Sequence, residues 1–573
     1  MPLHNREIAD KFDELADLLE IEGANRFRVR AYRDAARTVR GYSKSMNDLV
    51  KSESDLTELP GIGKDLAEKI KIMTKTGKLP LLQEVEKHVP PALSEIMHIE
   101  GVGPKRTKML YDKLQVSSTD DLKKALTEGK VRELEGFGKK TEQTIKDRLG
   151  KFTGTKQRTK LIEAEDIAKP LLAYINKSKG IKQAIVAGSY RRRKETVGDL
   201  DILVTVKQDN NVMERFIKYD EVDEIISQGK TRSTVQLRSG IHIDLRAVPQ
   251  VSYGAALHYF TGSKAHNIAI RKIGVKKGYK INEYGVFKGD KRIAGKTEEE
   301  VYKKVGLPYI VPELREDRGE IDAAKKGKLP ELIRLKDIRG DLHSHTKATD
   351  GHETLEQMAK AAADRHYQYL AITDHSKHVT VAHGLDKTRL LKQIKAIDKL
   401  NGKLDNIRLL KSSEVDILED GSLDLPDSIL KELDLTVCSI HYKFNLSRKK
   451  QTERIIRAMD NPYFNIFAHP HGRLINERES YDIDMAAVMK AAKERNCIIE
   501  LNAHPDRLDL MDDDCILAKQ IGIKIAISTD AHSTFHLDYM RFGVDQARRG
   551  WLEKDDVINT RPLNKLLKSL KRT

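Results

Sequence analysis

The sequence predicts a multidomain protein of mixed α+β and α/β class. Helical domains come first, a small mixed sheet lies in the middle, and a distorted (β/α)7 barrel ends the chain. Three observations carry this expectation. A Gly-x-Gly motif recurs three times before Lys140. An Asp-x-Asp pair, Asp199 and Asp201, opens an apolar run shortly after a Gly-Ser turn. Finally, 13 of the 19 histidines lie after Gly340, mostly where short apolar runs end.

At 573 residues the chain should hold several domains, at roughly 100–200 residues each. The apolar fraction of 39% suffices for ordinary cores, and the net charge of +16 implies a polyanionic partner, nucleic acid first. No apolar run is long enough to span a bilayer, so no membrane is expected. Met1 to Lys11 is polar and lacks the apolar segment of a signal peptide. Cys438, Cys497 and Cys515 are an odd number without metal-pair spacing, which predicts reduced thiols and a cytoplasmic protein.

Ile8, Phe12, Leu15, Leu18 and Leu19 share one face at helical spacing, and Phe27 to Tyr42 carries a second periodic pattern studded with arginine. The repeat then appears as Gly61-Ile62-Gly63-Lys64, Gly101-Val102-Gly103-Pro104-Lys105 and Gly136-Phe137-Gly138-Lys139. Gly-x-Gly between helices lets the second helix's first amides approach an anion with no Cβ in the way, and the following lysine adds charge. One copy is more often a plain helix connection; three copies with basic residues after them predict DNA binding. The pattern resembles the helix-hairpin-helix, which grips the phosphate backbone without reading sequence.

In the middle of the chain, Ala184 to Ala187 predicts a short buried strand ending in Gly188-Ser189, the material of a phosphate-cradling turn. Ile202 to Val206 predicts the next strand, with Asp199 and Asp201 at its entrance and on one face. A third carboxylate, Asp244, lies in a stretch whose alternation puts His242, Asp244 and Arg246 on one face and Ile243 and Leu245 on the other. Oxygen ligands beside a Gly-Ser turn and Arg191 to Arg193 describe a site for a divalent metal and a triphosphate. The bland alternative is a strand-opening turn with solvated aspartates.

These motifs are followed by Tyr259-Phe260-Thr261-Gly262-Ser263, His266-Asn267, Arg271 and Ile281-Asn282-Glu283-Tyr284. Together they resemble the nucleotidyltransferase palm and thumb of family X DNA polymerases, the group that includes DNA polymerase beta. The resemblance implies Mg²⁺ or Mn²⁺ held by Asp199, Asp201 and Asp244, with Asp244 accepting the primer hydroxyl proton. It implies that Gly188, Ser189 and Arg192 hold the phosphates of a deoxynucleoside triphosphate. Tyr259 and Phe260 would pack under its sugar, Gly262 would touch it, and Asn267 would reach its minor-groove edge. Arg271 and Tyr284 are implied DNA contacts, as are Gly61, Gly63, Lys64, Gly101, Gly103, Lys105, Gly136, Gly138 and Lys139. In the first domain the resemblance implies 5′-phosphate binding, with Arg28 and Tyr32 near the phosphate. Lys69 falls at the family's Schiff-base position, whereas Asp65 stands where another basic residue is usual.

Beyond Gly340, apolar runs end in polar residues seven times: Ile338 to His345, Tyr369 to His375, Ile407 to Glu414, Leu435 to His441, Phe464 to His469, Cys497 to Asn502 and Ile523 to His532. Functional groups at strand C-terminal ends describe a (β/α) barrel with its active site on that rim. Nitrogen and carboxylate donors without thiolate suit Zn²⁺, Mn²⁺ or Fe²⁺. The pattern resembles the polymerase and histidinol phosphatase (PHP) domain, a metal-dependent phosphoesterase. Its nine metal positions match His343, His345, Asp350, His375, Glu414, His441, His469, Asp530 and His532.

The expected domains are a helical 5′-phosphate-binding domain (1–86), a second helical DNA-binding domain (87–150), the palm (151–249), the thumb (250–314), a linker (315–337) and the PHP barrel (338–573). The resemblance implies a monomeric, gap-filling repair polymerase acting on gapped or primer–template DNA with a 5′-phosphate, with a 3′-5′ exonuclease in its barrel. A second reading makes the protein mainly a nuclease, with its N-terminal half a DNA clamp. A third makes it a non-enzymatic DNA scaffold.

Overall fold

The computed structural model describes residues 5–41, 46–59, 61–97, 99, 102–152 and 158–571. They form two compact units, Met1–Gln157 and Arg158–Thr573. No described helix is long and apolar enough to cross a membrane. All three cysteines are buried free thiols.

In the first unit, helix Asn5–Glu22 buries Ile8, Phe12, Leu15, Leu18 and Leu19, the face read from their spacing. Helix Arg26–Gly41 packs on it through Val29, Tyr32, Ala35 and Val39. Helices Lys64–Thr76, Gly103–Leu114 and Lys139–Phe152 follow the three glycine motifs. Gly61 and Gly136 take φ of +72° and +79°, left-handed backbone that a side chain would strain.

The second unit begins with helix Leu161–Ile175 and a five-stranded palm sheet. Its strands are β1 (Ile181–Val186), β2 (Asp199–Val206), β3 (Val222–Gln228), β4 (Arg232–Leu237) and β5 (His242–Val248), in the order β1-β2-β5-β4-β3. Strands β2 and β5 run parallel, which places Asp201 beside Asp244. Strand β3 was not expected. It is an edge strand exposed along nearly its whole length, so it carries no alternating pattern to betray it.

The thumb comprises helices Tyr253–Thr261, Lys264–Lys276 and Glu298–Val305 with a three-stranded sheet. Much of segment 315–337, expected as a linker, belongs to this body. Arg315 is fully buried, its Nε donating to the Ile310 carbonyl at 2.8 Å and its Nη1 to Glu298 at 2.6 Å. Glu320 is fully buried against His266 at 2.6 Å, and Ile321, Ala324 and Leu332 join the thumb core. The polar composition that suggested a linker consists partly of charges paired inside.

The barrel strands are Gly340–Asp341, Tyr369–Ile372, Arg408–Lys411 continuing into Glu414–Asp416, Val437–Ser439, Ile466–Phe467, Ile498–Asn502 and Ile525–Ser528. All pair in parallel, and Ser344 bridges Ala531 to close the ring. Seven strands were expected, and seven close the barrel. Alternate residues fall in two clusters: Leu370 and Ile372 pack on the surrounding helices, whereas Tyr369 and Ala371 join the interior with Ile466, Ala526 and the C-terminal Leu566.

The seam between the first and last strands is held by Asn559, which is fully buried. Its Nδ2 donates to the carbonyls of Gly340 and Ile527, both at 2.8 Å, and its Oδ1 accepts from the Ile527 amide at 3.1 Å. Asn559→Ala leaves three buried backbone groups unpaired and is expected to lower barrel stability by about 2–4 kcal/mol. Urea unfolding followed by far-ultraviolet dichroism measures it.

Candidate active sites

The palm site is built by one turn and two strands. Gly188 opens the turn with a φ of +61°, and a Cβ there would come within 2.7 Å of Asp201 Oδ2. Glycine is therefore required by both backbone and space. Burial first, then the charges of Asp199 and Asp244, push the Asp201 carboxyl up to about 7. Three carboxylates turned together with that result form a site poised for a cation. On Asp244, Thr234 donates to Oδ1, and Arg232 and Arg246 donate to Oδ2 at 2.9 and 3.3 Å.

A cavity of about 830 Å³ adjoins this turn. Gly188, Ser189, Arg192, Asp199, Asp201, Tyr259, Phe260, Gly262, Asn267 and Arg271 all line it; Asp244 and Tyr284 do not. Arg192 donates to the Thr261 carbonyl and to Glu316 at 3.0 Å. Tyr259 and Phe260 meet edge to face, Arg246 lies over the Phe260 ring, and Asn267 Nδ2 donates to the Tyr259 carbonyl at 2.7 Å. The Asn267 Oδ1 is buried without a hydrogen-bond partner. Tyr284 is exposed on the turn between strands Lys280–Asn282 and Gly285–Lys288. Sequence reasoning missed Lys264 and a set of barrel residues on the cavity wall, which no local signal announces.

In the N-terminal unit, Lys64, Lys105 and Lys139 are exposed, and nothing approaches a Cβ placed on Gly63, Gly103 or Gly138. Amides and ammonium groups there are open to a phosphate backbone. Gly101 lies outside the described residues. Arg28 is exposed, whereas Tyr32 is 4% exposed, with its ring packed on Phe12. Lys69 is held in an ion pair by Asp65 one turn earlier.

On the barrel rim all nine expected ligands converge. Three overlapping groups bring donor atoms within 4.8 Å of one another: His345, Asp350, His375 and His532; His343, His345 and Asp530; His375, Glu414 and His441. His469 joins them through Glu414 at 2.9 Å. The Nε2 of His343, both ring nitrogens of His345 and the Oδ1 of Asp350 are buried without hydrogen-bond partners. Buried polar atoms otherwise find partners, so these orphans fit metal ions.

The carboxylates that orient these ligands escaped the sequence reading. Glu500, fully buried, accepts from His343 Nδ1 at 2.7 Å and from the His469 amide at 2.7 Å. Asp416 bonds His441 Nδ1 at 2.8 Å. Arg507 sits 3.4 Å from Asp530 with one buried guanidinium nitrogen unpaired. The only sequence signal for Glu500 was a carboxylate inside the apolar run Cys497 to Leu501.

Five family models match the chain. They are a helix-hairpin-helix domain over 3–79, a SAM-like helix-hairpin-helix tandem over 93–151, the DNA polymerase beta palm over 160–241, the DNA polymerase beta thumb over 256–316 and a PHP domain over 341–504. The chain is 37% identical over 574 residues to DNA polymerase/3'-5' exonuclease PolX of Bacillus subtilis, covering 100% of both. A "Probable phosphatase" of Thermoanaerobacter sp. is 32% identical over 232 residues, 38% of this chain and 89% of its own. DNA polymerase lambda of Rattus norvegicus is 25% identical over 344 residues, 55% of this chain and 56% of its own. The palm match stops before Asp244 and the PHP match before Asp530 and His532; the fold brings all three into their sites.

Two outcomes follow from this geometry. Glu500→Gln keeps the shape but not the charge behind His343, and should weaken Mn²⁺ binding by about 10–100-fold in a calorimetric titration of the chelator-stripped protein. Asp201 has a folded value raised above its ordinary 3.8, so the native state binds the extra proton between those limits. The resulting penalty is small near pH 4 and complete above about pH 7. Asp201→Asn should therefore raise the thermal midpoint of the stripped protein more at pH 8 than at pH 5, by the equivalent of about 1–2 kcal/mol after allowing for partial exposure.

Proposed function

The chain belongs to the family X DNA polymerases that carry a C-terminal PHP domain, and we propose from that premise that it fills short gaps in DNA during repair while its barrel removes nucleotides from 3′ ends. The observation that carries the reading is the pairing of Asp201 with Asp244 on neighbouring strands beside the Gly188 turn and its cavity.

In this reading Asp199, Asp201 and Asp244 hold Mg²⁺ or Mn²⁺, which when bound offsets the charge that develops on the transferred phosphoryl group. Arg192 turns its fork from Glu316 to the β and γ phosphates, joined by Ser189. Tyr259 and Phe260 floor the sugar, Gly262 lies against the nucleotide and Asn267 meets the base edge. Asp244 takes the primer hydroxyl proton once its arginine partners yield. On the barrel rim His343, His345, Asp350, His375, Glu414, His441, His469, Asp530 and His532 hold Mn²⁺, Zn²⁺ or Fe²⁺. Arg507 supplies a nitrogen to a phosphate oxygen.

The N-terminal unit binds the DNA backbone through Gly61, Gly63, Lys64, Gly103, Lys105, Gly136, Gly138 and Lys139, and the 5′-phosphate side of a gap near Arg28. Arg271 and Tyr284 contact DNA from the thumb. The protein works as a monomer in the cytoplasm. The ion pair of Lys69 with Asp65 lends no support to a Schiff-base role.

The test uses a labelled primer on a one-nucleotide gap carrying a 5′-phosphate, with Mg²⁺ or Mn²⁺, with and without deoxynucleotides. Wild type should extend with nucleotides and shorten without them. Asp201→Ala should lose extension by at least about 10³-fold and keep shortening; His343→Ala should do the reverse. Shortening with no extension at any metal would instead favour a nuclease that uses its N-terminal half as a clamp.

A further inference from the structure

The cavity beside the palm turn has a third wall, supplied by the barrel. Met511, Asp512, Asp513, Asp514, Gln546 and Arg549 line it together with palm and thumb residues. Arg549 ends helix Met540–Arg549 and is 2% exposed. Its Nη1 donates to the backbone carbonyl of Arg192 at 2.7 Å and to Glu316 Oε1 at 3.1 Å, and its Nη2 donates to Asp512 at 2.6 Å. The same Glu316 Oε1 accepts from Arg192 Nε at 3.0 Å. One carboxylate is thus shared by an arginine of the cavity and an arginine of the barrel.

That sharing matters because Arg192 is occupied. Its Nε is on Glu316 and its Nη1 on the Thr261 carbonyl, so a two-pronged grip on a phosphate through the Nε–Nη2 edge requires leaving Glu316. Leaving a largely buried carboxylate unpaired is costly, and the cost opposes nucleotide binding. With Arg549 in place, Glu316 stays paired when Arg192 departs. The bond to the Arg192 carbonyl also keeps the turn in position while its side chain swings.

We propose that Arg549, a residue of the hydrolytic barrel, is a positioning residue for nucleotide binding at the palm, holding Glu316 and the Arg192 turn while the Arg192 guanidinium moves to the triphosphate. The proposal rests on the triphosphate reading of the cavity. It makes the barrel part of the polymerase site, through a contact rather than through its own chemistry.

Single-nucleotide incorporation on gapped DNA, with the full chain and varied deoxynucleotide, tests it. Arg549→Gln should raise KM by about 10–100-fold with kcat at saturation changed far less. Arg549→Lys, which keeps charge but loses the fork, should fall between. Glu316→Gln removes the competitor for Arg192, so it should lower KM alone and return KM toward wild type when combined with Arg549→Gln. A structural brace predicts the opposite: the double variant would be no better than Arg549→Gln alone. That result, or an unchanged KM in Arg549→Gln, overturns the proposal.

Arg192→Ala separates the two levels. If it raises KM while Arg549→Gln does not, the proposal alone fails; if it leaves KM unchanged, the triphosphate reading fails and takes the proposal with it. Shortening of a single-stranded 3′ end by the same preparations reports that the barrel is folded. Should Arg549→Gln lose that activity, Glu316→Gln alone decides: a lowered KM supports the proposal and a raised one overturns it.

Discussion

Both sites of this chain are concentrations of charge that the protein does not neutralise by itself, and the architecture is built to hold them. At the palm, the Asp201 carboxyl is pushed upward by burial and by two neighbouring carboxylates. On the barrel rim, Glu414 is buried within reach of His343, His345, His375, His441 and His469. Neither arrangement would persist on a flexible loop. Asp201 and Asp244 stand on paired strands of one sheet, and the rim ligands stand at the ends of strands closed into a ring. Rigid hydrogen-bonded strands hold the groups in an unfavourable proximity that a bound cation would relieve.

The same logic joins the two halves of the second unit. Lys160, buried, pairs with Glu477 and Asp506; Arg473 forks onto Glu195; Arg193 and Arg541 share Glu165; Arg548 meets Glu313. Leu161, Ile475, Leu508, Tyr539 and Phe542 form the apolar patch beneath. Buried ion pairs add little net stability because desolvation offsets their attraction, but an unpaired member is costly, so they select one docking geometry. Glu195 lies between the Gly188 turn and Asp199, and Arg473 lies four residues after His469. The docking contacts are therefore placed on the loops that carry the ligands of both sites.

What the sequence made legible was whatever local periodicity determines. Asp199 and Asp201 share a strand face because residues two apart must, and seven apolar runs ending in His, Asp, Glu or Asn are seven barrel strands. What stayed hidden depends on partners far along the chain. Glu500 serves His343 across 157 residues, and Asp416 serves His441 across 25. Tyr32, placed near the phosphate by the family resemblance alone, packs its ring against Phe12, a contact that no local pattern announces. The segment after Leu314 looked like a linker because its charges could not be seen to pair. Strand β3 left no mark because nothing covers it.

Donor chemistry distinguishes the two candidate metal sites of the chain. The palm offers only carboxylate oxygens, a hard set suited to a cation that keeps much of its water. The rim offers six imidazoles and three carboxylates in overlapping groups, a set that would favour borderline ions. The imidazoles are fixed by carboxylates behind them: Glu500 behind His343 and Asp416 behind His441. That backing raises their basicity as ligands and sets their tautomer. The two donor sets, by their hardness and preorganisation, would favour different classes of ion. Two donor sets of different hardness can then stand on strands of separate sheets in one compact unit without competing for the same ion.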